Sequence, residues 1–276
     1  MHKIRLFLTL FLSLLMMGQI AAQKPTVSQK QRLEMKKLLH ELIKTHKNLG
    51  YDNLWTAYEK TDVDATGHII DMYSNITNFL PSDHSENYQK EGDVINREHT
   101  VPQSWFDKKA PMVADIHHVY PVDGWVNGMR SDYPYGEVAT VSKKSANSYS
   151  KLGTPKTTLG APASVNKVFE PADEWKGDLA RAYFYMVVCY QEQIDTWSGG
   201  VFGQSPKFPK ASYPDYVGYP GIAEWALKMF LRWAKNDPVS QREIDRNNAA
   251  YKLQGNRNPF IDCPGIERFI WAEYVE

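Results

Sequence analysis

Apolar residues recur at helical spacing near both ends of the chain, but that period fails from about Ile95 to Val141. This break limits the fold more than any other feature. Two helical arms must pack around a central segment that is no long helix but extended pieces, loops and one short helix. On the N-terminal side, Ser28 and Gln31 form a capping-box pattern ahead of a stripe of Leu38, Leu39, Leu42 and Ile43, and Gly50 can end that helix. "YDNLWTAYEKTD" predicts a second helix and "GHIIDMYSN" a strand. "TLGAPASVNKVFEP" reads as loop or short strand. Beyond it, Gly177 to Ile194 and Pro220 to Ala234 predict helices, the latter with Trp225, Phe230 and Trp233 on a core face. Ser240 and Glu243 repeat the capping box ahead of "IDRNNAAYKLQ", and "GIERFIWAEYV" closes the chain. No internal repeat or low-complexity linker divides these parts. The expected fold class is therefore α+β: a mostly helical single domain with a small central β element.

The 276 residues, 42% hydrophobic and 13% aromatic, suffice for a real core. The first residues stand apart. Lys3 and Arg5 precede an apolar run from Leu6 to Met17, followed by Ala21 and Ala22, the layout of a signal peptide over residues 1–22. The expected mature domain is 23–276, secreted or periplasmic, with no membrane association after cleavage and a monomeric state. Removing residues 1–22 takes Lys3 and Arg5 and no acid from a balance of 32 basic and 32 acidic residues, leaving 30 against 32. That balance argues against tight, nonspecific coating of nucleic acid and leaves room for contact at one basic cleft. Two cysteines, Cys189 and Cys263, make no zinc site. Cys189, in "YFYMVVCYQ", reads as a core thiol.

The central segment opens with "NREHTVPQSW", where Glu98 precedes His99 and Pro102 interrupts the chain soon after. A neutral imidazole can take a proton from water, and a hard cation asks for a few oxygen ligands. Glu98 and His99 supply a carboxylate and a base. Downstream, Pro121 and Asp123 can start a short helix that places Asn127 on the side of Asp123 and near Arg130, at i, i+3 and i+4 spacing. One geometric demand follows. Neighbours in a regular strand point to opposite faces, so Glu98 and His99 share a site only if the backbone bends there.

Together, "NREHTVPQSWF", "ADIHHVYPVDGWVNGMRSDYPYGEV" and "QGNRNPFID" resemble the endonuclease I family of secreted and periplasmic bacterial nucleases, ribonucleases and deoxyribonucleases among them. These are ββα-metal, or His-Me finger, enzymes, and the resemblance covers most of residues 50 to 265. It implies that His99 is the general base, that Glu98 and Asn127 are ligands of Mg2+ (or Ca2+ or Mn2+), and that the substrate is DNA, RNA or both. An arginine that steadies the phosphate in some relatives has no counterpart in "DKKAPM", which offers Lys108 and Lys109; Arg130 and Arg257 are the expected phosphate partners. Val113 stands where some relatives carry glutamate, and Cys263 where a histidine is expected. Arg97 is expected on an internal carboxylate, one of His117 and His118 in structural support, and Asp115 either beside the site or capping its loop. An ordinary histidine base predicts activity falling below roughly pH 6. Two other readings are a nucleic-acid-binding protein without catalysis and a metal-dependent hydrolase of another diester or of a peptide. The chain has no HExxH motif for the protease version.

Overall fold

The computed structural model describes residues 27–203 and 219–275, so the signal-peptide segment lies outside the described residues. Helix α1 (Gln29–Ile43) starts with the full capping box: Ser28 Oγ accepts from the Gln31 backbone and Gln31 Oε1 from the Ser28 backbone. Its buried face differs from the expected stripe. Leu33, Lys36, Leu39, His40 and Ile43 point inward, whereas Leu42 is 44% exposed. The polar members fit because each has a partner: Lys36 Nζ donates to Gln191, and His40 Nδ1 meets the Val188 carbonyl at 2.8 Å.

Helix α2 (Leu54–Thr61) follows, and the strand expected in "GHIIDMYSN" is absent. Residues 71–74 form a turn instead. Asp71 causes it, since its carboxylate accepts the backbone N–H groups of Tyr73 and Ser74 and so satisfies them without a strand partner. Strand β1 (Ile95–His99) then pairs antiparallel with β2 (Val119–Asp123), and helix α3 (Gly124–Arg130) starts at the next residue. This is the small ββα element. Its register runs unbroken from Ile95 opposite Asp123 to His99 opposite Val119, so the bend expected at Glu98–His99 does not occur within the pairing. The chain turns away after Thr100, whose N–H still donates to His118.

Three short strands, β3 (Val138–Lys144), β4 (Lys151–Pro155) and β5 (Val168–Glu170), form a second antiparallel sheet. The spine of the fold is α4 (Asp173–Cys189), buried at every position from Gly177 to Cys189. A helix buried all round must be packed on several sides. Here the flanking helices are α1, α5 (Glu224–Asn236) and the short α7 (Pro259–Asp262). The expected Gly177–Ile194 helix thus begins about one turn earlier and ends at Cys189. On α5, Trp225, Phe230 and Trp233 are buried as expected. The capping box of α6 (Gln241–Gln254) is present, and α8 (Ile266–Ile270) follows near the C-terminus. A two-residue strand pair, β6 (Phe202–Gly203) with β7 (Gly221–Ile222), completes the described elements. The result is an α+β domain with the ββα element set into a helical shell.

Glu243 serves two ends at once. It accepts from the Ser240 backbone in the α6 cap, and both its oxygens accept from the Arg181 guanidinium of α4. Glu243→Ala leaves Arg181 buried with half its partners gone and is expected to cost about 3–5 kcal/mol of stability. Leu42→Ala, on the exposed side of α1, is expected to cost under about 1 kcal/mol. Denaturant midpoints of the two variants check this; equal midpoints would contradict it.

Candidate active site

A cavity of about 300 Å³ opens at the C-terminal end of β1, lined by Glu98, His99, Asn127 and Arg130 and rimmed by Gln103, Ser104 and Lys108. Strand and helix are aligned by one chain of carboxylates. Asp123 caps α3 by accepting from the Val126 N–H at 2.8 Å, while its other oxygen accepts from Gly92 at 2.6 Å. The Asp123 backbone N–H in turn donates to Asp71. Asp123 therefore does not join Asn127 in the cavity, as helical spacing alone implied. Because the cavity lies across the end of the strand, neighbouring Glu98 and His99 both line it without a bulge.

Glu98 is only 1% exposed. Its Oε1 accepts from Arg130 Nη1 at 2.8 Å, Tyr73 Oη at 2.7 Å and Tyr135 Oη at 3.0 Å. Among the described residues, Oε2 has no hydrogen-bond partner. Burial pushes this carboxyl above the ordinary glutamate range, while Arg130 and the two phenols pull it down. One oxygen is thus held by three donors and the other remains available. Asn127 shows the same asymmetry: its side-chain amide nitrogen donates to the Arg97 carbonyl at 3.2 Å, leaving Oδ1 free. Two uncommitted oxygens on the lining of one cavity fit a hard divalent cation, which takes oxygen ligands and keeps several waters.

His99 is 4% exposed, and its Nε2 lies 3.0 Å from the Val113 carbonyl. A carbonyl only accepts, so Nε2 carries the proton and the lone pair sits on Nδ1. The ring stacks on Tyr51 and meets His118 edge-on, which fixes its plane. Burial lowers its pKa to about 3, with His118 adding to the effect. Burial therefore favours the neutral imidazole, the form that can accept a proton.

Both expected phosphate arginines are engaged by protein groups. Arg130 is buried, and its Nη donors go to Glu98 and to the carbonyls of His99 and Thr100. Arg257 does not line this cavity; it holds Asp262 through two nitrogens and Asn248 through one. Arg97 lines the cavity and stacks 3.5 Å above the Tyr51 ring; its nearest carboxylates, Asp52 at 3.5 Å and Glu86 at 3.7 Å, are exposed and are not the internal partner expected. Neither Tyr73 nor Tyr135 carries a local sequence signal that marks it as a partner of Glu98.

Behind the cavity, Asp115 joins the elements. It accepts from Tyr185 and Tyr190 of the α4 segment, from Gln254 of α6 and from the His117 backbone. His46, Asp115 and Cys189 place ligand-type atoms within 4.8 Å of one another. The hydrogen bonds there do not favour an ion: both Asp115 oxygens accept from protein donors, and the Cys189 thiol donates to the Ile43 carbonyl at 3.6 Å. Cys189 and Cys263 form no disulfide.

The family model described as Endonuclease I matches residues 32–265, and the chain belongs to that family. It is 32% identical over 251 residues to an extracellular ribonuclease of Bacillus amyloliquefaciens, covering 88% of this chain and 76% of that protein. An extracellular ribonuclease of Bacillus subtilis is 34% identical over 247 residues, or 86% of this chain and 74% of that protein. A periplasmic deoxyribonuclease of Aeromonas hydrophila is 27% identical over 151 residues, 55% of this chain and 48% of that protein. No described helix is long and apolar enough to cross a membrane.

Burial lowers both His117 and His118 from 6.5 to about 4. Between these values the unfolded chain binds protons that the folded chain does not, so stability falls as pH drops from about 6.5 towards 4. Each histidine contributes up to ~1.4 kcal/mol per pH unit in that window. The imidazole ring resonances of His117 and His118 are expected not to titrate between pH 7.5 and pH 5 in the folded protein; titration near 6.5 would contradict the neutral burial of these rings.

Proposed function

We propose that this member of the endonuclease I family is an exported endonuclease that depends on a divalent cation and hydrolyses internal phosphodiester bonds of DNA, RNA or both with low sequence specificity. One observation carries the reading: the lone pair of His99 Nδ1, Glu98 Oε2 and Asn127 Oδ1 are all uncommitted at the lining of one cavity. Related proteins named as ribonucleases and as deoxyribonucleases support either polymer as substrate. Their extracellular and periplasmic names, with the leader-like first 22 residues, support export.

In this mechanism His99 Nδ1 accepts the proton of a water as that water attacks phosphorus in line. Val113 holds the tautomer that makes this possible, and Tyr51 and His118 hold the ring plane. Glu98 and Asn127 would bind Mg2+, with Ca2+ or Mn2+ as alternatives for an all-oxygen site. The cation, when bound, would stabilise charge on the phosphate and on the departing 3′ oxygen, giving 5′-phosphate products. Arg130 acts on Glu98, and not on phosphate, because its Nη donors are already occupied. Arg257 anchors α7 from outside the cavity. Lys108, exposed at the rim with no ion pair among the described residues, takes the phosphate-steadying role expected of an arginine. Phosphate contacts carry no sequence information, which suits low specificity.

The purified mature chain is expected to nick supercoiled plasmid or degrade RNA in Mg2+, and EDTA should stop it. His99→Ala should lower the rate by about 10²–10⁴. A His99→Ala chain that cleaves at the wild-type rate sinks the assignment of the base.

A further inference from the structure

A second cavity, about 520 Å³, lies on the other side of α3 and is lined by Tyr88, Trp125, Gly128, Met129, Lys143 and Lys144. We infer that this groove binds unpaired bases and backbone phosphates of a single-stranded nucleic acid whose scissile phosphate lies in the cavity of Glu98, His99 and Asn127. The inference rests on the nuclease reading and names the substrate's path.

Three features support it. Trp125 is 46% exposed although an indole is costly to leave in water, and it meets the half-buried Tyr88 ring edge-on. Tyr88 is pressed against α3 so closely that a Cβ at Gly128 would collide with its hydroxyl. The pair thus forms a rigid aromatic wall on which a base can stack, and such stacking tolerates any sequence. The opposite wall is cationic. Lys143 and Lys144 are exposed and have no ion pair among the described residues. Lys144 also sits directly opposite Lys151 across the β3–β4 ladder. Lys151 has Glu170 opposite it on the β4–β5 side, whereas Lys143 and Lys144 on the groove edge have no ion pair among the described residues.

The spacing matches. Trp125 and Asn127 are two residues apart on one seven-residue helix, hence on roughly opposite sides of it. A helix is ~10 Å across, and stacked nucleotides rise ~3.4 Å each, so a strand crossing α3 would place bases at Trp125 about three nucleotides from the reacting phosphate.

The test uses the full mature chain in EDTA, so that binding is read without cleavage, and fluorescence anisotropy of a labelled ten-nucleotide oligothymidylate and of a duplex of equal length. Trp125→Ala is expected to weaken single-strand binding by at least about fivefold and duplex binding by less than about twofold, with Trp125→Phe retaining most of the affinity. Lys143→Ala with Lys144→Ala is expected to reduce the slope of log affinity against log salt by about 1. Unchanged single-strand affinity in Trp125→Ala, an equal loss on duplex, or an unchanged salt slope overturns the inference. Intact binding without cleavage in Mg2+ would count against the nuclease reading and leave this comparison standing.

Discussion

A carboxylate cannot be taken out of water without partners, and the architecture around the site follows from how Glu98 obtains them. Its three donors come from three separate parts of the chain. Tyr73 arrives on the Asp71 turn, Arg130 on the last turn of α3, and Tyr135 from the approach to β3. The same Arg130 guanidinium ties down the carbonyls of His99 and Thr100, where the chain leaves β1. Thr100 is held again by Tyr183 of the buried spine α4. The cluster joins strand, turn, short helix and spine. All three donors fall on one oxygen of Glu98, so the stabilising interactions leave the other to the cavity.

His99, the proposed base, is held by the same logic. Val113 sits in the loop between β1 and β2, and its carbonyl fixes the proton of His99 on the nitrogen away from the cavity. That loop is secured at Asp115, which collects donors from the α4 segment and α6. The helical shell therefore sets the tautomer of a histidine it does not touch directly. It also imposes a cost: His117 and His118 must stay neutral to remain buried, which ties the integrity of the loop to pH.

Much of this was legible in the sequence, for local reasons. Both capping boxes announce their helices because the cap needs only residues three apart. The Trp225, Phe230 and Trp233 face follows from helical period, and Glu98, His99 and Asn127 were singled out together before any geometry. What could not be read depends on which partner each polar group takes, whether near in sequence or far. "GHIIDMYSN" has apolar residues enough for a strand, but Asp71 takes the backbone donors a strand would need. Arg130 looked like a phosphate ligand because nothing nearby reveals that its partner is Glu98. Arg257 looked free because its Asp262 partner comes within reach only when α7 folds back. The expected bend at Glu98–His99 was an inference from a flat strand, whereas the cavity is reached past the strand's end.

The central claim is that the two uncommitted oxygens of Glu98 and Asn127 hold one divalent cation opposite the His99 lone pair. Anomalous diffraction from crystals of the mature chain equilibrated with Mn2+ tests it most directly. The account predicts a single peak bounded by Glu98 Oε2 and Asn127 Oδ1, on the cavity side that His99 Nδ1 faces. A peak at His46, Asp115 and Cys189, or one that touches neither Glu98 nor Asn127, would contradict it.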